Sequence, residues 1–130
     1  MADARLVHAT ACLVALLAAP AAADPILECP GSSQVEIGDC LARTETLVDQ
    51  ALATALGFAR QAAEELDRTT ARSVAVPALD QAQSAWATYR DAQCEYVGAT
   101  FGGGSGTGQA IRACRIELGR ARVDQLMRQL

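Results

Sequence analysis

FGGGSGTGQA, residues Phe101–Ala110, places five glycines in ten residues, and its reading separates two fold classes. As a phosphate cradle it would lie between a strand and a helix of an α/β protein; as a connection it would join two helices of an all-α one. A phosphate loop of the form G-x-x-x-x-G-K-[ST] wraps backbone amides around the anion, with a lysine to balance charge and a hydroxyl to bind magnesium. Gly103 and Gly108 have that spacing, but Gln109 stands where the lysine must be and Ala110 where the hydroxyl must be. The dinucleotide pattern G-x-G-x-x-G is absent too, because no three glycines of the segment have those offsets. A helical pattern, not a strand, precedes the glycines, so the segment is expected to be a helix-to-helix connection.

Working outward, "PALDQAQSAWATYRDAQCEYV" from Pro77 to Val97 carries Leu79, Ala82, Trp86, Tyr89 or Arg90, and Cys94 or Val97 along one helical stripe. Pro77 suits the first turn of that helix, where a missing N–H costs nothing. On the other side, residues 109–130 hold Ile111, Cys114, Leu118, Ala121, Leu126 and Leu130 on one face. Further upstream, Ile37, Leu41, Val48, Leu52, Ala55, Ala59 and Ala62 follow helical spacing and predict a long helix from Ser33 to about Leu66. Its start is marked by "SQVE", in which Ser33 can cap and Glu36 can reach back to the Ser33 amide. Gly38 and Gly57 each cost about 1 kcal/mol relative to alanine and mark places where this helix could kink or divide. Asp67–Val76 loses the period and predicts a turn. No segment alternates as a half-buried strand does. The expected fold is all-α, a small antiparallel helical hairpin or three-helix bundle with a core of Leu, Ala, Val and Trp86.

The 130 residues allow one domain. Arg5, the apolar run Leu6–Ala19 and the small residues Ala21 and Ala23 predict a signal peptide over residues 1–23, leaving a helical domain over residues 24–130. An uncleaved membrane anchor is the alternative; without it no membrane contact is expected after cleavage. The predicted location is the periplasm or the exterior, where cysteines oxidise. Cys12 leaves with the leader, so Cys29, Cys40, Cys94 and Cys114 are expected to form two disulfides. A four-thiolate zinc site is the competing reading, and neither pair has the short spacing such a site uses. Of three possible pairings, Cys29 with Cys40 and Cys94 with Cys114 closes the shortest loops and is the one expected.

Two absences bound the chemistry. The chain has no lysine, and its single histidine, His8, lies in the leader. Nucleophilic relays through imidazole, histidine metal ligation and Schiff-base chemistry are thereby unavailable to residues 24–130. Carboxylates, hydroxyls and arginines remain, so neither an enzyme nor a cofactor or metal site is expected. The net charge of −4 argues against nucleic acid as partner and suits a basic protein. Glu64, Glu65 and Asp67 cluster near the predicted end of the first helix, where the helix dipole disfavours their charge and a solvated face tolerates it.

Taken together, Gln83, Trp86, Tyr89, Arg90, Asp91 and Cys94 in the pattern Q-x-x-W-x-x-Y-R-D-x-x-C, the outer pair Cys29 and Cys40, Gly103–Ser105, and Cys114, Arg122 and Leu126 resemble the LprI-type lysozyme inhibitor family. The likeness covers nearly all of residues 24–130. Two departures stand out: the polar L-N-x-x-Y signature of the first helix is here "LATAL", Leu52–Leu56, and Gly119 replaces a threonine. The resemblance implies a small exported helical domain, with a muramidase as partner. Phe101–Thr107 is then the loop expected to enter the enzyme's cleft, with Phe101 as an apolar plug and Ser105 as a donor to a catalytic carboxylate. Glu36, Asp39, Glu45 and Asp49 are expected to steer a basic enzyme toward it. The alternative function is a disulfide-stapled structural or adaptor module of the cell envelope.

Overall fold

A computed structural model describes residues 24–130, which form three helices, α1 Gln34–Thr70, α2 Ala75–Ala99 and α3 Thr107–Met127. The predicted leader, with Arg5, His8 and Cys12, lies outside the described residues. Side-chain pairs fix the directions: Asp49 meets Arg90 and Arg60 meets Asp80, so α1 and α2 run antiparallel. Cys94 meets Cys114 and Gln83 meets Arg122, so α2 and α3 are antiparallel as well. The result is an up-down-up three-helix bundle, the second of the two architectures expected.

The capping box at Ser33 is present. Glu36 N donates to Ser33 Oγ at 3.2 Å, and Glu36 Oε2 accepts from the amides of Ser33 and Ser32 at 3.2 and 2.8 Å. From there α1 runs unbroken through Gly38 and Gly57, and it continues four residues past the expected end at Leu66. The Asp67 carboxylate explains both that extension and the tight turn after it. Its oxygens accept from the backbone amides of Val74, Ala75 and Val76 at 3.1, 2.8 and 3.1 Å. A residue at the unfavourable end of α1 therefore caps the favourable end of α2, and only Ala71–Val74 stay outside both helices. Pro77 falls in the first turn of α2, as predicted.

Those three amides hold the Asp67 carboxyl below its ordinary range. Its contribution is complete above the unfolded pKa and is lost as pH falls through the lowered native one. Asp67→Ala should therefore reduce the melting temperature at neutral pH, with the difference from the parent protein shrinking in acid. Thermal melts across that range check this, and a difference independent of pH would contradict the capping role.

Two buried clusters fill the bundle. Leu41 and Ile116, both fully buried, join Val48 and Cys29 in one; Leu52, Ala55 and Leu126 form the other, with Leu79, Trp86 and Val123 packed against it. On α3 the buried residues are Ala110, Ala113, Cys114, Ile116, Gly119 and Leu126. The expected face is thus partly corrected: Ala121 and Leu130 are exposed, and Ile116 carries the core. The reason is that α3 contacts α1 on one side and α2 on the other, so its buried surface is wider than one stripe. Gly119 permits the close approach to α1, since a Cβ there would stand 2.5 Å from Val48 Cγ1.

Both predicted disulfides are present, Cys29–Cys40 and Cys94–Cys114, with Cα separations of 5.6 and 5.5 Å. The first ties the segment before α1 onto the core; the second ties α2 to α3 near the glycine connection. Leu126 packs against Leu52 and Ala55, so α1 beyond about Phe58 outruns α3. Over that length, roughly 18 Å at the helical rise, the molecule is a two-helix hairpin of α1 and the first two turns of α2, since Gln83 and Trp86 already meet Arg122 of α3.

Candidate functional site

The motif residues of α2 divide between two faces. Trp86 is half-buried, with the Arg90 guanidinium 5.0 Å and the Arg122 guanidinium 5.9 Å from its ring centroid. Arg90 donates to Asp49 on α1 at 2.8 Å, and Arg122 Nε donates to Gln83 on α2 at 3.1 Å. Gln83, Trp86, Arg90 and Arg122 thereby make one cluster that clamps all three helices through aromatic packing and cation–π contact. Tyr89 and Asp91 do not join it. Both are exposed, Tyr89 on another face of α2 and Asp91 3.9 Å from Arg115. Of the five residues expected to form a structural motif, the cluster thus contains Trp86, Arg90 and Arg122 and leaves out Tyr89 and Asp91.

The four acidic residues expected to steer a partner are mostly engaged within the molecule. Glu36 closes the capping box, Asp49 binds Arg90, and Glu45 pairs with Arg112 at 2.6 Å and Arg115 at 3.7 Å. Asp39 alone of the four has neither an ion pair nor a capping contact among the described residues.

The glycine connection is a chain of turns. Phe101 N donates to Gly98 O at 3.0 Å, Gly102 N to Ala99 O at 3.2 Å, and Thr107 N to Gly104 O at 3.0 Å. Gly102 and Gly103 hold φ of 65° and 80°, the left-handed region where a Cβ is strained. These turns let α3 begin at Thr107, two residues earlier than expected.

Phe101 and Ser105 lie against different hollows. Phe101, half-exposed, packs on Gly106 and lines a groove of about 290 Å³ along the α2–α3 seam, together with Tyr89, Val97 and Glu117. Ser105 is exposed and borders a hollow of about 360 Å³ shared with Gln34, Asp39 and Arg112 of α1 and α3. A third hollow, about 450 Å³, is lined mainly by alanines and leucines where the α1–α2 hairpin outruns α3.

Glu117 and Asp24 of the seam groove carried no signal in the sequence. Partial desolvation first, and then the charge of Asp24, push the carboxyl of the exposed Glu117 above its ordinary value, while Arg120 pulls it down. Arg120 is itself held by both oxygens of Glu28, at 2.8 and 2.7 Å. Only folding brings Asp24 beside α3, so no local spacing announces the pair.

Among the described residues no group of three or more His, Cys, Asp or Glu is placed to hold a metal ion, and no helix is long and apolar enough to cross a membrane. Comparison with known proteins gives a match to the family model described as lysozyme inhibitor LprI, over residues 29–126. An uncharacterized protein of Rhizobium meliloti (strain 1021) is 42% identical over 60 residues, which is 46% of this chain and 43% of that protein. The match thus spans less than half the length of that relative. No solved structure matches.

Proposed function

Because the chain belongs to the lysozyme inhibitor LprI family, we propose that it is an exported protein that binds a muramidase and blocks its cleft with the Phe101–Gly106 end of the bundle. The two disulfides and the net charge of −4 fit an exported protein with a basic partner. The observation that carries the reading is the ordered connection itself. A glycine-rich loop loses much backbone freedom on binding, but here successive turn hydrogen bonds restrict it before any partner arrives. Its base is held further by Cys94–Cys114. Preorganisation of this kind removes part of the entropic cost of association. Phe101, half-exposed at the start of the loop, is the apolar group best placed to enter a cleft.

Lysis of a bacterial cell-wall suspension, followed by turbidity against a panel of lysozymes, tests the proposal. The oxidised protein is expected to slow lysis by at least one of them. Replacing Phe101–Gly106 with a six-residue Ser/Gly linker should abolish the effect while leaving the helical circular-dichroism spectrum intact. Absence of inhibition at micromolar protein would favour the adaptor reading. Full potency in the linker variant would move the contact to a helix face.

A further inference from the structure

The seam groove between α2 and α3 has two chemically different ends. Antiparallel register, fixed by Cys94–Cys114 and Gln83–Arg122, sets Glu117 and Leu118 level with Tyr89 and Arg90. Tyr89 and Glu117 therefore share one end of the groove, and Asp24 lines it too. Phe101, about 18 Å away at the helical rise, closes the other end beside Val97 and Ala110. Tyr89 is 54% exposed, so its ring is open to a partner. Asp24 is held in place by the Ile26 amide, which donates to its Oδ1 at 2.9 Å.

No arginine lines this groove. Most described arginines are committed elsewhere: Arg60 to Asp80, Arg68 to Glu65, Arg90 to Asp49, Arg112 and Arg115 to Glu45, and Arg120 to Glu28. Among the described residues, the groove thus holds two carboxylates and an exposed aromatic ring with no cation in its lining, and the nearest arginine acting on Glu117, Arg120, already has both its terminal nitrogens on Glu28. We propose that the Tyr89–Asp24–Glu117 end of the groove is a receptor for one guanidinium or ammonium side chain of a basic partner protein. The carboxylates would accept its N–H groups, the tyrosine ring would take its charged face, and the repulsion between Asp24 and Glu117 would be relieved. The rise in the Glu117 pKa has the direction that partial desolvation and such repulsion produce. An apolar group beside the partner's cation would lie toward Val97 and Phe101. This receptor deepens the inhibitor reading, since a lysozyme is a partner rich in such cations, but the chemistry of the groove does not depend on that identity.

The test has two arms. In the first, Nα-acetyl-arginine amide is titrated into the oxidised protein and the backbone amides of Tyr89 and Glu117 are followed by NMR. A saturable shift is expected with the arginine compound and not with its neutral citrulline counterpart. The shift should vanish in Asp24→Asn/Glu117→Gln, whose melting temperature is compared with the parent's to confirm folding; Tyr89→Leu should weaken it. Absence of a saturable shift in the parent protein, or an equal shift with citrulline, would overturn the receptor. So would a shift seen only after acetylation of a chain that begins at Asp24, because the chain's own α-ammonium would then be the occupant. In the second arm, the double variant should lose about tenfold in inhibitory potency against a lysozyme that the parent inhibits. Undiminished potency would remove the groove from the contact and overturn its role there. Arginine binding without inhibition of any lysozyme would sustain the receptor and sink the inhibitor reading.

Discussion

Ile116→Ala should lower the stability of the domain by about 3 kcal/mol, the middle of the range for emptying a buried branched site. Ile116 is fully buried and packs with Leu41, Val48 and Cys29, so the lost methyl and methylene groups leave a cavity that α1 and the disulfide-tied segment before it cannot easily fill. At roughly 4–8 °C per kcal/mol for a domain of this size, the melting temperature should drop by tens of degrees at the upper end. The informative control is Leu118→Ala, because helical spacing in the sequence assigns Leu118 to the core face. Leu118 is only half-buried, and its truncation should cost about 1 kcal/mol. Urea unfolding of the two variants decides the matter. Equal losses would mean that α3 is rotated from the orientation described.

Cys94→Ser/Cys114→Ser should also cost about 3 kcal/mol, from the chain entropy regained by the unfolded state when a crosslink across 20 residues is removed. Its second effect is functional. The bridge joins α2 and α3 beside the glycine connection, so its loss frees the base of the Phe101–Gly106 loop and should weaken inhibition by more than the unfolded fraction explains. Cys29→Ser/Cys40→Ser provides the comparison. That bridge spans 11 residues and should cost nearly as much stability, but it ties the segment before α1 to α1 rather than the two helices that carry the loop, so it should lower potency by less. Parallel measurements of the melting curve and of lysozyme inhibition separate the two effects. Equal potency in both disulfide variants would contradict the role that the proposed inhibition gives to the loop's preorganisation.

Several elements were legible because their causes are local. The capping box at Ser33, the tolerance of Pro77 in a first helical turn, the failure of Gln109 and Ala110 as phosphate-loop residues, and the all-helical pattern each depend on residues a few positions apart. The shortest-loop disulfide pairing held for the same reason. Asp67 shows where such reading ends. Nearby residues mark it as a misplaced charge at a helix terminus, whereas its partners are the amides of Val74, Ala75 and Val76 across the turn. The acidic residues of α1 show the same limit, since Glu45 and Asp49 meet arginines more than 40 residues distant.

By itself the sequence determined the helical class, the existence of two connections between helices though not their ends, the disulfide chemistry and the absence of imidazole and lysine from residues 24–130, because each follows from periodicity, composition or short spacing. Only the tertiary structure decided which face of α3 is buried, that Trp86 is clamped between Arg90 and Arg122, that Phe101 and Ser105 line separate hollows, and that Asp24 stands beside Glu117. Those outcomes depend on the relative rotation and register of three helices. That register is set by close approaches such as Gly119 against Val48 and by ion pairs spanning the chain, which no local window of sequence contains.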